Sequence, residues 1–154
     1  MKKRNEILVL ILSLYVFCRI NIKTDYDKII KNISENYDNN PDLIKAIIRV
    51  ESNFNPKAHN LTAKEDSRGL MQINKNTAFS LGVNDLNKLF NPEYNILIGN
   101  KLIVDLEKRY KNTLDIICAY NAGRVIKTKY GQYRNSEYVF RVYSYYLAYS
   151  ILNI

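Results

Sequence analysis

The sequence predicts one mainly α-helical domain with at most a small β-hairpin. Three observations lead there. Apolar residues recur at helical spacing over most of residues 25–152, and the period-two alternation of strands is nearly missing. A chain of 154 residues is long enough for one real core but hardly for two. Hydrophobic residues make up 47% and charged residues 25%, a balance that disfavours an intrinsically disordered chain.

Taken in order, residues 1–22 read as an export signal or membrane anchor. Lys2, Lys3 and Arg4 precede an apolar run from Ile7 to Cys18 that is closed by Arg19. The run is short for a membrane span, and Tyr15 and Phe17 make a poor cleavage site, so a retained anchor and a lipid-modified Cys18 stay open. The remaining domain, 23–154, starts with DYDKIIKNISENYD (25–38), whose Ile29, Ile30, Ile33 and Tyr37 share a helical face. A second helix opens at Pro41 with Asn40 as its cap, and NFNP (53–56) is expected to stop it through Pro56. A polar connection runs from Lys57 to Gly69, and at most a small hairpin is expected in the 57–74 region. Further helices are expected over 75–81, 92–110, 112–121 and 136–152.

The formal charge of +8 narrows the partners. Without residues 1–20 the body keeps 19 basic and 14 acidic side chains, a net +5. Such a charge suits an acidic polymer: nucleic acid, anionic lipid or wall glycan. The body has no dense basic run with interleaved aromatics, so nucleic acid is not favoured, and membrane contact is assigned only to the N-terminal segment. Cys118, in LDIICAY, reads as a buried small side chain. One His and one Cys in the body suggest no metal site, and no cofactor is implied. His59, alone in a polar connection, is expected to be solvated and without a role.

Glu51 is the first candidate for chemistry. On a helix, Ile44, Ile48 and Glu51 share one stripe beside Leu43, Ile47, Val50 and Phe54, which puts the carboxyl at the inner end of a core-facing surface. Lys45 and Arg49 fall on the side expected to face solvent. A desolvated Glu is held protonated near neutral pH, the state a general acid needs. The competing reading is a Glu at a frayed helix end, turned to water or paired with Arg49 or Lys57.

Two further stretches weigh on that choice. SRGLMQIN (67–74) lodges Gln72 among apolar residues after Gly69, and ICAYNAG (117–123) ends an apolar helix on a Gly123 cap. ESNFNPKA, GLMQIN and AYNAG, in this order and separation, resemble the three motifs of the soluble lytic transglycosylase family. LFNPEYNILIGNKLI (89–103) is similar to the helix between the second and third motifs, so the resemblance covers about Asn40 to Val142. Tyr138 and Val139 match the family's final Tyr-Val, but Arg134 and Asn135 stand where its Glu-Thr usually lies. The long connection carrying AKEDSR resembles specialised members associated with secretion and conjugation machines.

The resemblance implies a lysozyme-like fold and cleavage of the β-1,4 bond between N-acetylmuramic acid and N-acetylglucosamine in peptidoglycan, without water, to leave 1,6-anhydro ends. It implies an exported protein on the periplasmic or wall side, with glycan strands and a secretion or conjugation apparatus as partners. Glu51 would act first as acid and then as base, with the substrate's N-acetyl group replacing a second carboxylate. Ser52 would donate to that N-acetyl group or to Glu51, or else to a local carbonyl. Met71 and Gln72 would line the cleft, Tyr120 would orient Glu51, Asn121 would shape the adjacent backbone, and Tyr138 would complete the site. Other readings on the same residues are a water-using muramidase with Glu65 or Asp66 as second carboxylate, a non-catalytic wall-binding component of a secretion machine, and a phage or toxin lysin.

Overall fold

The computed structural model describes residues 24–63 and 65–152. The segment expected to direct export, with Cys18, lies outside the described residues. Helix α1 (Asp27–Asn36) is shorter than 25–38: Thr24 donates from N and Oγ1 to the Asp27 carboxylate at its start, and Asp38 turns left-handed (φ 57) after its end.

Helix α2 (Pro41–Glu51) forms as expected, with Asn40 Oδ1 accepting from the amides of Asp42 (2.9 Å) and Leu43 (3.4 Å). It is the central element, packed most extensively on the C-terminal helix and also on α1. Ile44, Ile47 and Ile48 have no exposed surface, which contributes about 2 kcal/mol each. Lys45 does not face solvent as its helical phase suggested; it is 4% exposed. Its Nζ lies 2.9 Å from Asp27 Oδ1 and 4.8 Å from the centre of the Tyr149 ring. Periodicity showed one buried face, but α1 and the C-terminal helix cover two.

The stop of α2 also differs from expectation. The helix ends at Glu51, before Pro56 can act, and Asn53 (φ 51) and Phe54 (φ 64) follow in left-handed conformations. For residues other than glycine this costs about 1–2 kcal/mol apiece, a strain placed directly after the candidate acid.

The connection after α2 folds into three short antiparallel strands, one more than a hairpin: β1 (His59–Leu61), β2 (Asp66–Arg68) and β3 (Ile73–Asn74), in the order β1-β2-β3. His59, expected to be solvated, is tied down, with Nε2 2.9 Å from Asp66 Oδ1 and its ring edge-on to Phe90. Strand pairing sets His59 opposite Arg68, whose guanidinium also grips Asp66.

Helix α3 (Lys75–Ser80), a 3-10 turn (Leu86–Phe90), α4 (Pro92–Arg109), α5 (Thr113–Ala122) and α6 (Ser136–Leu152) complete the chain. Asn91 and Asn112 cap α4 and α5, and Gly123 (φ 74) ends α5. On α6, Val142 and Tyr149 are fully buried and Tyr145 stacks on Tyr149, the core stripe that the helical spacing indicates. No helix among the described residues is long and apolar enough to cross a membrane.

One polar side chain holds the sheet to the helices. Asn95, fully buried on α4, accepts from the Met71 amide (2.8 Å) and donates to the carbonyls of Arg68 and Leu89 (2.9 Å each). Gly69 (φ 77) passes so close that a Cβ would collide with that amide and with Leu89 O. Gly99, on the same helix, leaves room for the Met71 thioether. Helix α4, the β2–β3 turn and GLMQIN are thus locked together.

Candidate active site

Between the sheet and the ends of α2 and α5 lies a cavity of about 440 Å³. Glu51, on the last turn of α2, reaches its wall. On the sheet side, strand register makes one polar row: Asn60 pairs with Ser67, Ser67 pairs with Asn74, and all three line the cavity. Three strands of two or three residues are too short for alternation to reveal that row, so the sequence offered no signal for it. Glu65, Gln72, Tyr120 and Asn121 also line the cavity.

Glu51 is neither turned to water nor paired with Arg49 or Lys57. Its Oε1 accepts a 2.6 Å hydrogen bond from the Tyr138 hydroxyl. Burial pushes its carboxyl up to about 7. The Tyr138 bond opposes that shift, the negative charge of Glu65 adds to it, and the positive charge of Arg141 opposes it. Glu51 therefore holds its proton through mildly acidic conditions and releases it near neutrality, as a group serving in turn as acid and base must. Burial, and then the negative charge of Glu51, raises Tyr138 well above the ordinary tyrosine value, so it remains a donor.

The other expected residues divide. Gln72 lines the cleft, held at φ 46, and both its amide N–H groups are taken by the carbonyls of Ala58 (3.0 Å) and Gly69 (2.9 Å). The amide oxygen is what it has left for a ligand. Tyr120 lines the cleft, but its hydroxyl donates to Met71 O at 2.7 Å; the contact on Glu51 belongs to Tyr138. Asn121 is exposed at the cleft rim, where its Oδ1 accepts from Asn135. Met71 is fully buried against Gly99 and serves through its backbone, whose carbonyl anchors Tyr120. Ser52 donates to Ile48 O (3.3 Å), the local alternative, and does not line the cavity.

The departure at 134–135 has a structural account. Asn135 donates to Cys118 O (3.1 Å) and Asn121 Oδ1 (2.9 Å), while buried Cys118 Sγ lies 3.1 Å from Asn135 Oδ1. This amide ties the start of α6, and with it Tyr138, to the end of α5. Of the two acids weighed as a second carboxylate, Glu65 reaches the cavity, steadied by a 3.1 Å bond from Ser67 Oγ. Asp66 does not; the Arg68 guanidinium, with help from His59, holds it at about 2.

Comparison with known proteins places this geometry. The sequence profile described as the transglycosylase SLT domain matches residues 28–140. A protein of Edwardsiella ictaluri named membrane-bound lytic murein transglycosylase C is 33% identical over 114 residues, 64% of this chain and 31% of the relative. The chain thus spans about a third of the length of the curated relatives it matches. The 70 kDa soluble lytic transglycosylase of Escherichia coli superposes with a TM-score of 0.70 at 24% identity, covering 82% of this chain and 24% of that one. A complex of a 70 kDa soluble lytic transglycosylase with bulgecin A gives 0.69 at 23% identity, covering 85% and 25%. These two likenesses bear out the lysozyme-like fold expected from the motifs.

Proposed function

The chain belongs to the transglycosylase SLT domain family, and from that premise we propose that it is a lytic transglycosylase of peptidoglycan. The observation that carries this reading is Glu51: one buried carboxyl at the wall of a polar cleft, raised to about 7 and braced by Tyr138. Protonated Glu51 gives its proton to the glycosidic oxygen between N-acetylmuramic acid and N-acetylglucosamine. The C1–O bond breaks with its electron pair going to that oxygen, and the muramoyl N-acetyl carbonyl bonds to C1. Glu51, now a carboxylate, takes the proton of the C6 hydroxyl. O6 then closes on C1, the acetamido oxygen leaves, and a 1,6-anhydro end results with no water consumed.

Gln72 and the row Asn60, Ser67 and Asn74 offer amide and hydroxyl groups to sugar acetamides and hydroxyls, Tyr120 and Asn121 form the opposite wall, Met71 supports Tyr120 through its backbone carbonyl, and the Ser52 hydroxyl closes the last turn of α2 beside Glu51. Residues 1–22 carry the domain to the periplasmic or wall side as an export signal or anchor. The long AKEDSR connection supports recruitment to a secretion or conjugation apparatus. A relative's name, membrane-bound lytic murein transglycosylase C, supports both the chemistry and the placement.

Mass spectrometry of digested peptidoglycan tests the reaction. Muropeptides lighter by one water than hydrolysed products are expected; wholly hydrated reducing ends overturn it. That second outcome is a muramidase on the same fold, a reading favoured only by the presence of Glu65 in the cleft.

A further inference from the structure

A second depression, of about 520 Å³, borders Tyr138, the residue whose hydroxyl holds Glu51. It is lined by Arg134, Asn135, Ser136, Glu137, Tyr138 and Arg141. The guanidinium groups of Arg134 and Arg141, both on exposed residues, have no hydrogen bond or ion pair with any described residue, Glu137 included. Arg141 is nevertheless near enough for its charge to act on Glu51 and Tyr138.

The base of Arg134 is fixed. Its amide donates to Ile126 O (2.9 Å), and Asn135 beside it is held to Cys118 and Asn121. Two unpaired guanidiniums on a fixed frame, with one carboxylate among them, make a net positive recess one aromatic side chain away from the acid. Position 134 is also where the resembled family carries a glutamate, so the charge here is reversed.

On the reading of the chain as a peptidoglycan lytic transglycosylase, the ligand chemistry follows. The muramoyl residue differs from N-acetylglucosamine by a lactyl ether, which ends in a carboxylate or bears the stem peptide with its own carboxylates. Guanidinium pairs with carboxylate in a two-bond fork. We propose that Arg134 and Arg141 form a subsite for a carboxylate carried on the muramoyl residue next to the scissile bond, which selects the acidic wall strand over neutral glycan.

Binding to the full chain carrying Glu51→Gln tests this without cleaving the ligand, so its failure is separate from a failure of the reaction assay. Three ligands are compared: chitotetraose, a GlcNAc-MurNAc tetrasaccharide without peptide, and the same tetrasaccharide with stem peptides. Adding Arg134→Glu or Arg141→Gln should weaken carboxylate-bearing ligands about 10-fold and leave chitotetraose within about twofold, with Arg134→Lys intermediate. Loss confined to the peptide-bearing ligand assigns the carboxylate to the stem peptide, loss confined to the peptide-free MurNAc ligand assigns it to the lactyl group, and loss for both shows that the subsite accepts either carboxylate. Equal weakening of all three ligands, or no weakening, overturns the subsite.

Discussion

Tyr138 donates a 2.6 Å hydrogen bond to Glu51 across 87 positions of sequence, joining the last turn of α2 to the first turn of α6. The bond fixes the rotamer of the acid and limits the rise that burial imposes on it. Replacing Tyr138 by Phe removes only the donor. The Glu51 carboxyl should then rise further, so the loss of activity on the alkaline side, set by ionisation of the acid, moves to higher pH. Activity at the optimum should fall about 10-fold or more from lost positioning. A turbidimetric pH profile of wall digestion reads both effects, and an unshifted alkaline midpoint counts against the assignment.

Glu51→Gln should reduce wall digestion by about 10²–10⁴-fold, the range of general acid catalysis. It should also stabilise the fold in alkali. The folded carboxyl, near 7, holds its proton more tightly than the unfolded one at 4.5. The stability from that proton is complete below 4.5 and is lost as pH rises through about 7, up to about 3 kcal/mol in all. The Gln variant lacks this titration, so its melting temperature should exceed that of the parent at pH 8 and approach it at pH 4.5. Melting curves at the two pH values decide the point.

Glu65 gives an independent handle on the same proton. Its charge adds to the rise in Glu51, so Glu65→Gln should draw the alkaline limb of the profile to lower pH. The anhydro products should persist, because on the transglycosylase reading Glu65 takes no part in bond making. Loss of all turnover in this variant, with the protein folded, would instead favour the muramidase reading.

The helices were legible because their signals are local. Asn40, Pro41 and Gly123 act within a few residues, and the apolar spacing of α2, α4 and α6 marks their buried faces. The acid was legible as far as its direction, since Glu51 continues the phase of Ile44 and Ile48. What escaped depends on pairing between distant segments. Lys45 is buried because Asp27 and Tyr149 meet it from two other helices, and neither is visible in the phase of α2. Tyr120 and Tyr138 were both near the acid in motif terms, but only packing decides that one hydroxyl goes to Met71 O and the other to Glu51. The two left-handed residues after Glu51 have no glycine to announce them.

Asn95 supplies the last test, because its amide is the joint between the helices and the cleft. All three of its used hydrogen-bonding capacities serve backbone groups: the Met71 amide and the carbonyls of Arg68 and Leu89. Removing a partner from a buried polar group costs about 1–3 kcal/mol per group, and water has little access to a side chain with no exposed surface. Asn95→Ala should therefore destabilise the domain by about 3–5 kcal/mol, a large share of a typical stability. Asn95→Leu fills the space but leaves the same three groups unpaired, so it should not rescue. Asn95→Asp keeps the acceptor for the Met71 amide but turns a carboxylate oxygen toward the carbonyls of Arg68 and Leu89 in a site without water, so near neutral pH it should be no more stable than Ala in urea denaturation. If Leu restored the parent's midpoint, the role of Asn95 would be volume alone and the hydrogen-bonded joint would be refuted.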